Sequence, residues 1–273
     1  MRLSAYLWKD GIMKIVDIKS ELSEIVKMPV EAYFQRKVHL QEFIKKYEAD
    51  DRAGVVKICQ SAEKTIAEID AELIRLEGMY FYERENRNKY PVICGVDEVG
   101  RGPFAGPIVT AAVILPNDIC IPYLNDSKKL SHQKREEIYD LIMEKAVSVS
   151  FGIHSEKTID EIGVGKADSD AMKNAVLGLS QPPDLVLVDA FPIPGLSMKQ
   201  IPIIKGDAKS ASIAAASIVA KVKRDRFMVE MDEKYPGYGF AKNKGYGSKD
   251  HIEALKKMGP CEIHRKSFIH NYI

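Results

Sequence analysis

Two adjacent carboxylates, Asp97 and Glu98, follow an apolar run at residues 92–96 that is typical of a buried strand. An ionised carboxylate is costly to bury unless it is paired or bound to a metal ion. Because adjacent strand residues point to opposite faces, both acids can serve one site only if the strand ends or bends at Glu98. The nearby Gly100 and Gly102 permit such a bend. Considered alone, the segment fits a hairpin turn with two solvated acids equally well.

Two further acids stand at the ends of apolar, strand-like segments. Asp189 closes the segment at residues 184–189, and Asp207 follows the segment at residues 201–204. A lone aspartate at such a position is more often a helix cap or a turn former. However, the carboxyl ends of parallel strands meet at one edge of an open α/β sheet. The acids would therefore converge if the strand of Asp97 neighbours the other two.

Four converging carboxylates would raise one another's pKa values unless cations neutralised them. A set of oxygen ligands without histidine or cysteine suits hard cations such as Mg²⁺ or Mn²⁺. Two such ions about 4 Å apart can activate a water molecule and stabilise the departing oxygen of a phosphodiester. The pattern therefore points to phosphoryl chemistry at Asp97, Glu98, Asp189 and Asp207.

Two other chemistries fit the sequence poorly. A glycine-rich dinucleotide loop opens a helix, whereas Pro107 here leads into a second strand-like segment, and the glycine spacing misses that fingerprint. None of the six histidines stands beside an obvious nucleophile, so no Ser-His-Asp arrangement is indicated.

The composition is ordinary for a globular protein, with 45% hydrophobic and 29% charged residues. The net charge of +1 indicates no particular partner, so any affinity for nucleic acid must come from a local patch. Four scattered cysteines without a C-x-x-C pair disfavour disulfides and favour a reducing cytosol. Lys9 and Asp10 interrupt any signal-peptide core, and no apolar run could span a membrane, so we expect a cytoplasmic protein.

The pattern of apolar and charged residues along the sequence changes near residue 89. Residues 1–88 are rich in charge and show apolar residues at helical spacing, whereas strand-like and helical segments alternate afterwards. This alternation predicts an α/β fold, a mixed sheet with helices on its faces. We predict a helical N-terminal extension, residues 1–88, and a catalytic domain with a C-terminal helical segment, residues 89–273. The extension is either a packing arm or an accessory domain that binds substrate.

Six segments between Val92 and Phe268 closely resemble bacterial ribonuclease HII, the type 2 ribonuclease H, in order and nearly without gaps. They are GVDEVGRGPFAGPIVTAAVIL, DSKKLS, VDA, IIKGDAKSASIAAASIVAKVKRD, YPGYGFAKNKGYGSKDH and PCEIHRKSF. Residues 1–88 resemble, more weakly, the N-terminal extension of some bacterial members. The resemblance implies a ribonuclease H-like fold, with a mixed β-sheet flanked by helices and a helical N-terminal extension.

The resemblance also implies an activity. The enzyme would hydrolyse the RNA strand of RNA–DNA hybrids and incise 5′ of ribonucleotides embedded in duplex DNA, leaving a 3′-hydroxyl and a 5′-phosphate. It would use two divalent ions, Mn²⁺ or Mg²⁺, held by the catalytic acids Asp97, Glu98, Asp189 and Asp207. Its partner would be nucleic acid, with no membrane, and we expect a monomer that removes ribonucleotides and clears primers.

By the same resemblance, Gly100, Arg101 and Gly102 match the family's Gly-Arg-Gly loop, which senses the 2′-hydroxyl at the RNA-to-DNA junction. Tyr246 matches the tyrosine that stacks on the sugar there. The physical logic agrees, because only the 2′-hydroxyl separates RNA from DNA and bare glycines let backbone groups approach it. The candidate phosphate contacts are Lys128, Lys205 and Lys244.

The sequence departs from the family pattern in one place. Ala190 stands where many members have glycine after the third acid, a mild change that should leave Asp189 in place. Type 3 enzymes favour Gly-Lys-Gly and cleave isolated ribonucleotides poorly. Arg101 therefore favours type 2, with activity on hybrids only as the alternative.

Overall fold

The computed structural model describes residues 13–273, and the chain divides into two units, Met1–Arg75 and Leu76–Ile273. The signal-peptide expectation at Lys9 and Asp10 falls outside the described residues. Within residues 13–273, no helix is both long and apolar enough to cross a membrane.

The first unit is helical, as the apolar spacing predicts. Its helices are α1 (Ile15–Val26), α2 (Gln35–Tyr47) and most of α3 (Ala53–Met79), which continues past Leu76, and a 3₁₀ turn lies at Val30–Ala32. Ile18 and Leu22 of α1 are buried, as are Leu40 and Phe43 of α2. Each pair lies on one helix face, since residues three or four apart are neighbours there. The predicted helical N-terminal region is confirmed.

The second unit contains a five-stranded mixed sheet in the order β3-β2-β1-β4-β5. The strands are β1 (Ile93–Val99), β2 (Ile108–Ile114), β3 (Ser148–His154), β4 (Leu185–Asp189) and β5 (Lys199–Ile203). The first three strands pair antiparallel, whereas β4 lies parallel between β1 and β5. The predicted mixed α/β sheet is confirmed, and the strand of Asp97 neighbours that of Asp189.

Helices surround this sheet. They are α4 (Phe81–Asn86), α5 (His132–Lys145), α6 (Glu156–Ile162), α7 (Val164–Leu177), α8 (Ala211–Lys234), α9 (Phe240–Asn243), α10 (Lys249–Met258) and α11 (Lys266–Ile269), with 3₁₀ turns at Ser127–Lys129 and Gly206–Ala208. Serine caps explain several of the starts, because the side chains of Ser131, Ser155, Ser210 and Ser248 each accept a first-turn amide.

Helices α7 and α8 cover opposite faces of the central strands. Gly95 of β1 faces α8 so closely that an added Cβ would lie 2.0 Å from the backbone of Ser212, which only glycine allows. Val96 instead belongs to the apolar core formed with α7. Because strand side chains alternate, Asp97 faces α8 and Glu98 faces α7.

Candidate active site

The four predicted acids line a single cleft of about 360 Å³ at the carboxyl ends of β1 and β4. Its lining residues are Asp97, Glu98, Val99, Ser127, Lys128, Asp189, Asp207, Ser217, Lys221 and Tyr246. The parallel arrangement of β1, β4 and β5 brings the acids together, since these strands end at the same edge. Predicted residues Lys128 and Tyr246 are therefore at the cleft as well.

Asp97 and Glu98 reach this cleft from opposite faces of β1. The strand does not end at Glu98, because its antiparallel pairing with β2 continues through Val99. Its parallel pairing with β4, however, stops at Val96. The flank of β1 is open from Asp97 onward, so side chains of both faces can reach the cleft. The sequence predicts that β1 must end or bend at Glu98 for both acids to serve one site, and β1 ends one residue later, at Val99.

Electrostatics in the cleft favour the protonated acids. Burial, and then the neighbouring Glu98, raise the pKa of Asp97 well above its usual range. Burial, and then the charge of Asp168, raise the pKa of Glu98 to about 7. Burial, and then Asp126, also raise the pKa of Asp207. A cation in the cleft would compensate these negative charges and lower the pKa values of Asp97, Glu98 and Asp207.

The donor set fits a hard divalent cation. It offers carboxylate oxygens and neither thiolate nor imidazole, which is the chemistry that Mg²⁺ and Mn²⁺ prefer. In the part of the chain that the structure describes, no three histidine, cysteine, aspartate or glutamate side chains are already arranged to hold a metal ion. The raised pKa values are the electrostatic cost that a bound cation would remove.

Asp189 is fixed by the backbone that follows it. Its Oδ1 accepts a hydrogen bond of 2.7 Å from the amide of Gly206, and the amide of Ala190 donates to Ile203 across the β4–β5 pair. Ala190 has φ 59°, a left-handed conformation that suits glycine better than alanine. Alanine at position 190, where many family members have glycine, leaves Asp189 at the cleft, as expected, but the backbone of Ala190 is strained.

Asp207 lies in the 3₁₀ turn that leads into α8. That helix start is held by Glu83, whose buried Oε1 accepts from Ser210 Oγ at 2.7 Å and from the amide of Ser212 at 2.8 Å. Two buried donors thus meet one buried carboxylate, which stabilises all three. No local sequence pattern marks Glu83, because this contact joins residues far apart in the chain.

Two of the three glycines in the loop after β1, Gly100 and Gly102, have different roles. Gly100 has φ 99°, and an added Cβ would lie 2.5 Å from Arg224 Nε, so this glycine is required by the protein itself. An added Cβ at Gly102 would meet nothing within 4 Å, so its backbone is open to solvent. Between them, Arg101 is 53% exposed and lies 3.4 Å from Asp168 and 3.8 Å from Glu98.

Two fully buried arginines, Arg224 and Arg265, hold the loop through backbone carbonyls. Each donates from Nε and both terminal nitrogens. The accepting carbonyls belong to Gly100, Arg101, Ala105, Gly106, Pro107 and Lys244. The planar guanidinium suits this task because it presents donors in a rigid fork. Sequence reasoning missed both, since a lone arginine in a helix or a tail predicts surface charge.

Tyr246 is 44% exposed, which agrees with the glycines that flank it. The Arg224 guanidinium lies 5.8 Å from the centroid of the Tyr246 ring. The backbone carbonyl oxygen of Tyr246 lies 2.9 Å from His251 Nδ1. An added Cβ at Gly245 would lie 2.3 Å from the carbonyl oxygen of Ala105. This tyrosine loop (residues 244–248) and the loop after β1 (residues 100–107) are therefore in direct contact.

The predicted lysines occupy different places. Lys128 lines the cleft, Lys205 is exposed just before Asp207, and Lys244 lies outside the lining with its Nζ donating to a backbone carbonyl. Lys221, which the sequence analysis did not single out, lines the cleft and pairs with Asp225 at 2.6 Å. Burial lowers the pKa of Lys221.

One histidine does stand beside a nucleophile, contrary to the sequence-based expectation. Cys261 Sγ lies 3.1 Å from His264 Nδ1. Burial raises the pKa of this thiol, while burial and the nearby His251 lower the pKa of His264 to about 4. Both shifts favour a neutral thiol and a neutral imidazole, so the pair is not an activated nucleophile.

Solved structures define the class of this fold. Ribonuclease H2 from Pyrococcus horikoshii is 27% identical and superposes with a TM-score of 0.57, over 66% of this chain and 96% of that one. The ribonuclease HII of an Archaeoglobus fulgidus complex with PCNA is 25% identical, with a TM-score of 0.55, over 64% of this chain and 93% of that one. The second unit therefore has a ribonuclease H fold.

Sequence comparisons identify the family within this fold class. The Ribonuclease HII profile matches residues 94–271, and the Ribonuclease HII N-terminal domain profile matches residues 14–87. The ribonuclease HII of Lachnoclostridium phytofermentans is 55% identical, over 83% of this chain and 89% of that protein, and that of Acetivibrio thermocellus is 52% identical, over 84% and 89%. The chain belongs to the ribonuclease HII family. It is an endonuclease of the ribonuclease H type, from a metal-dependent family of hydrolases that act on nucleic acid.

Proposed function

We propose that the enzyme hydrolyses the RNA strand of RNA–DNA hybrids and incises 5′ of ribonucleotides embedded in duplex DNA. The supporting observation is that four carboxylates and the exposed ring of Tyr246 line one cleft, while Gly102 presents an open backbone in the loop that begins directly after the lining residue Val99. The acids would serve the chemistry, whereas the bare loop and the ring would recognise the ribonucleotide.

Asp97, Glu98, Asp189 and Asp207 are the proposed ligands of two divalent ions, Mn²⁺ or Mg²⁺. When bound, such ions activate the attacking water and stabilise charge on the departing oxygen. The protein's own contribution is positioning: Asp97 is buried, and the amide of Gly206 fixes Asp189.

Recognition of the ribonucleotide requires close contact with the sugar. The backbone at Gly102 can approach a 2′-hydroxyl without interference from a side chain. The face of Tyr246 can stack on the neighbouring sugar, and we propose Lys128, Lys205 and Lys244 as phosphate contacts. Lys128 has the strongest support of the three, because it lines the cleft.

The test uses two substrates: a duplex with a single ribonucleotide and a uniform RNA–DNA hybrid, each with Mn²⁺ or Mg²⁺. We expect incision of both, on the 5′ side of the ribonucleotide, and loss of both activities in Asp97→Asn. Cleavage of the hybrid alone would favour the type 3-like alternative. Incision that persists in Asp97→Asn would remove the metal assignment.

Tyr246→Ala should lower the rate of incision at a single ribonucleotide by about tenfold, as expected for the loss of one stacking contact. Binding of the duplex should change much less, because phosphate contacts supply most of that affinity. Tyr246→Phe keeps the ring and serves as the control. Equal loss of binding and cleavage in Tyr246→Ala would mean that the side chain is structural.

The remaining proposals concern the whole chain. We propose that residues 1–88 form an accessory region that helps to bind substrate and that residues 89–273 form the catalytic domain. We also propose that the enzyme acts as a monomer in the cytoplasm, where it removes ribonucleotides from DNA and clears primers. The scattered cysteines support a reducing compartment.

A further inference from the structure

We propose that Asp168 is a positioning residue that orients Arg101 for recognition of the ribonucleotide. The inference rests on the proposed function of the loop at residues 100–102. Asp168 lies on α7, the helix that covers the Glu98 face of the sheet. Its Oδ2 is 3.4 Å from Arg101 Nε.

The position of Asp168 lowers the stability of the folded protein. The residue is only 6% exposed, and its buried Oδ1 has no hydrogen-bond partner among the described residues. A buried carboxylate with an unpaired oxygen lowers stability. The other buried residues of α7 are all apolar: Ala167, Ala171, Met172, Ala175 and Val176. Packing alone therefore does not call for an acid at this position.

The geometry suggests what the acid provides. The Arg101 side chain is long, half exposed, and lies between two carboxylates, Glu98 at 3.8 Å and Asp168 at 3.4 Å. Without Asp168, the guanidinium would pair with Glu98 alone and place its charge on a proposed metal ligand. Asp168 draws the guanidinium toward α7 and restricts its conformations. The side chain is thereby held beside the open backbone of Gly102, where the ribonucleotide would lie.

Asp168 must act through Arg101 rather than on the substrate. It is buried behind the loop, and a carboxylate repels the phosphates of nucleic acid. Its effect should therefore depend on the presence of the arginine. A structural role for Asp168 would not show that dependence.

The experiment is a double-mutant cycle of Asp168→Asn and Arg101→Ala in the full-length enzyme. With the single-ribonucleotide duplex, we expect Asp168→Asn to lower kcat/KM about tenfold, mainly through KM, as is typical of a coupled pair. In the Arg101→Ala background the same change should have little effect. The uniform hybrid, which presents many ribonucleotides, should respond less. Asp170→Asn is the matched control, because Asp170 lies on the same helix and pairs with His154.

Full activity of Asp168→Asn, or equal losses with and without Arg101, would overturn the proposal. Should Asp168→Asn fold poorly, Asp168→Ser completes the same cycle with a smaller side chain, and the same two outcomes decide it. A wild-type enzyme that cuts hybrids but no embedded ribonucleotide would refute the proposed substrate instead. The coupling between Asp168 and Arg101 would then be measured on the hybrid. Failure of the positioning role and failure of the proposed substrate are therefore distinguishable.

Discussion

Glu98 shows how burial shapes the chemistry of a single carboxyl. Its pKa rises to about 7 through burial and then the charge of Asp168, whose own pKa burial raises to about 6. In both cases the folded protein holds the proton more tightly than the unfolded chain does. Without a cation, the contribution of these two groups to stability is therefore most favourable below their ordinary pKa values and is lost as the pH rises toward the raised values.

Glu98→Gln should stabilise the metal-free protein at alkaline pH. We expect the free energy of unfolding to rise by about 2 kcal/mol at pH 8, and by much less at pH 5, because a shift of one pKa unit corresponds to about 1.4 kcal/mol. Urea unfolding in a chelating buffer at both pH values measures this. An equal gain at both pH values would show that ionisation of Glu98 is not the cause.

Ala190 illustrates backbone strain next to Asp189, a proposed metal ligand. A left-handed backbone costs a non-glycine residue roughly 1–2 kcal/mol, while glycine loses about 0.5–1 kcal/mol more on folding. Ala190→Gly should therefore raise stability by up to about 1 kcal/mol without changing activity. Ala146→Gly, at a position with φ −63°, should be destabilising and is the control. Equal effects of the two changes would argue against strain at Ala190.

At the scale of elements, the loop after β1 and the loop that contains Tyr246 both depend on α8. Arg224 extends from this helix to the carbonyls of Ala105, Pro107 and Lys244, which joins the loop after β1 to the tyrosine loop. Burial lowers the pKa of Arg224 only to about 10, so its guanidinium stays charged at neutral pH. One side chain thus sets the spacing of two loops.

Arg224→Lys should separate these loops. An ammonium cannot replace the guanidinium fork, so buried carbonyls would lose their donors and stability should fall by about 3 kcal/mol. Incision at a single ribonucleotide should fall more than duplex binding. Arg226→Lys, on the same helix with an exposed side chain paired to Glu136, should change neither quantity. An Arg224→Lys enzyme with normal stability and incision would exclude this role.

At the scale of the whole molecule, the division of the chain matters for any truncation. The second unit begins at Leu76, so it includes Tyr80 and Glu83, both buried. Glu83 caps the start of α8, and the amide of Ile121 donates to the Tyr80 hydroxyl. Removal of residues 1–88 would therefore delete parts of the second unit itself.

Deletion of residues 1–75 should leave a folded nuclease with weaker substrate binding and little change in kcat. Deletion of residues 1–88 should be less stable, because Ser210 and Ser212 lose the Glu83 carboxylate. Thermal unfolding and steady-state kinetics of both proteins test this. Full substrate affinity after deletion of residues 1–75 would exclude an accessory binding role.

The alternation of strands and helices, and the likeness of its motifs to the ribonuclease HII family, made the fold predictable from the sequence. The candidate acids were predictable for a local reason: each follows an apolar strand, where a carboxylate is conspicuous. Asp168, Arg224, Arg265 and Glu83 were not predictable. Their partners lie far away in the chain, and most of those partners are backbone atoms that no sequence pattern marks.

By itself, the sequence determined which residues can do chemistry here, because strand periodicity and side-chain type are local properties. Tertiary structure alone decided how Asp97 and Glu98 share one cleft, which glycine is required by packing, and which buried charges hold the loops. These outcomes depend on where the pairing between β1 and β4 stops and on which side chains of α7 and α8 face the sheet. Both are set by the packing of segments that are distant in the chain.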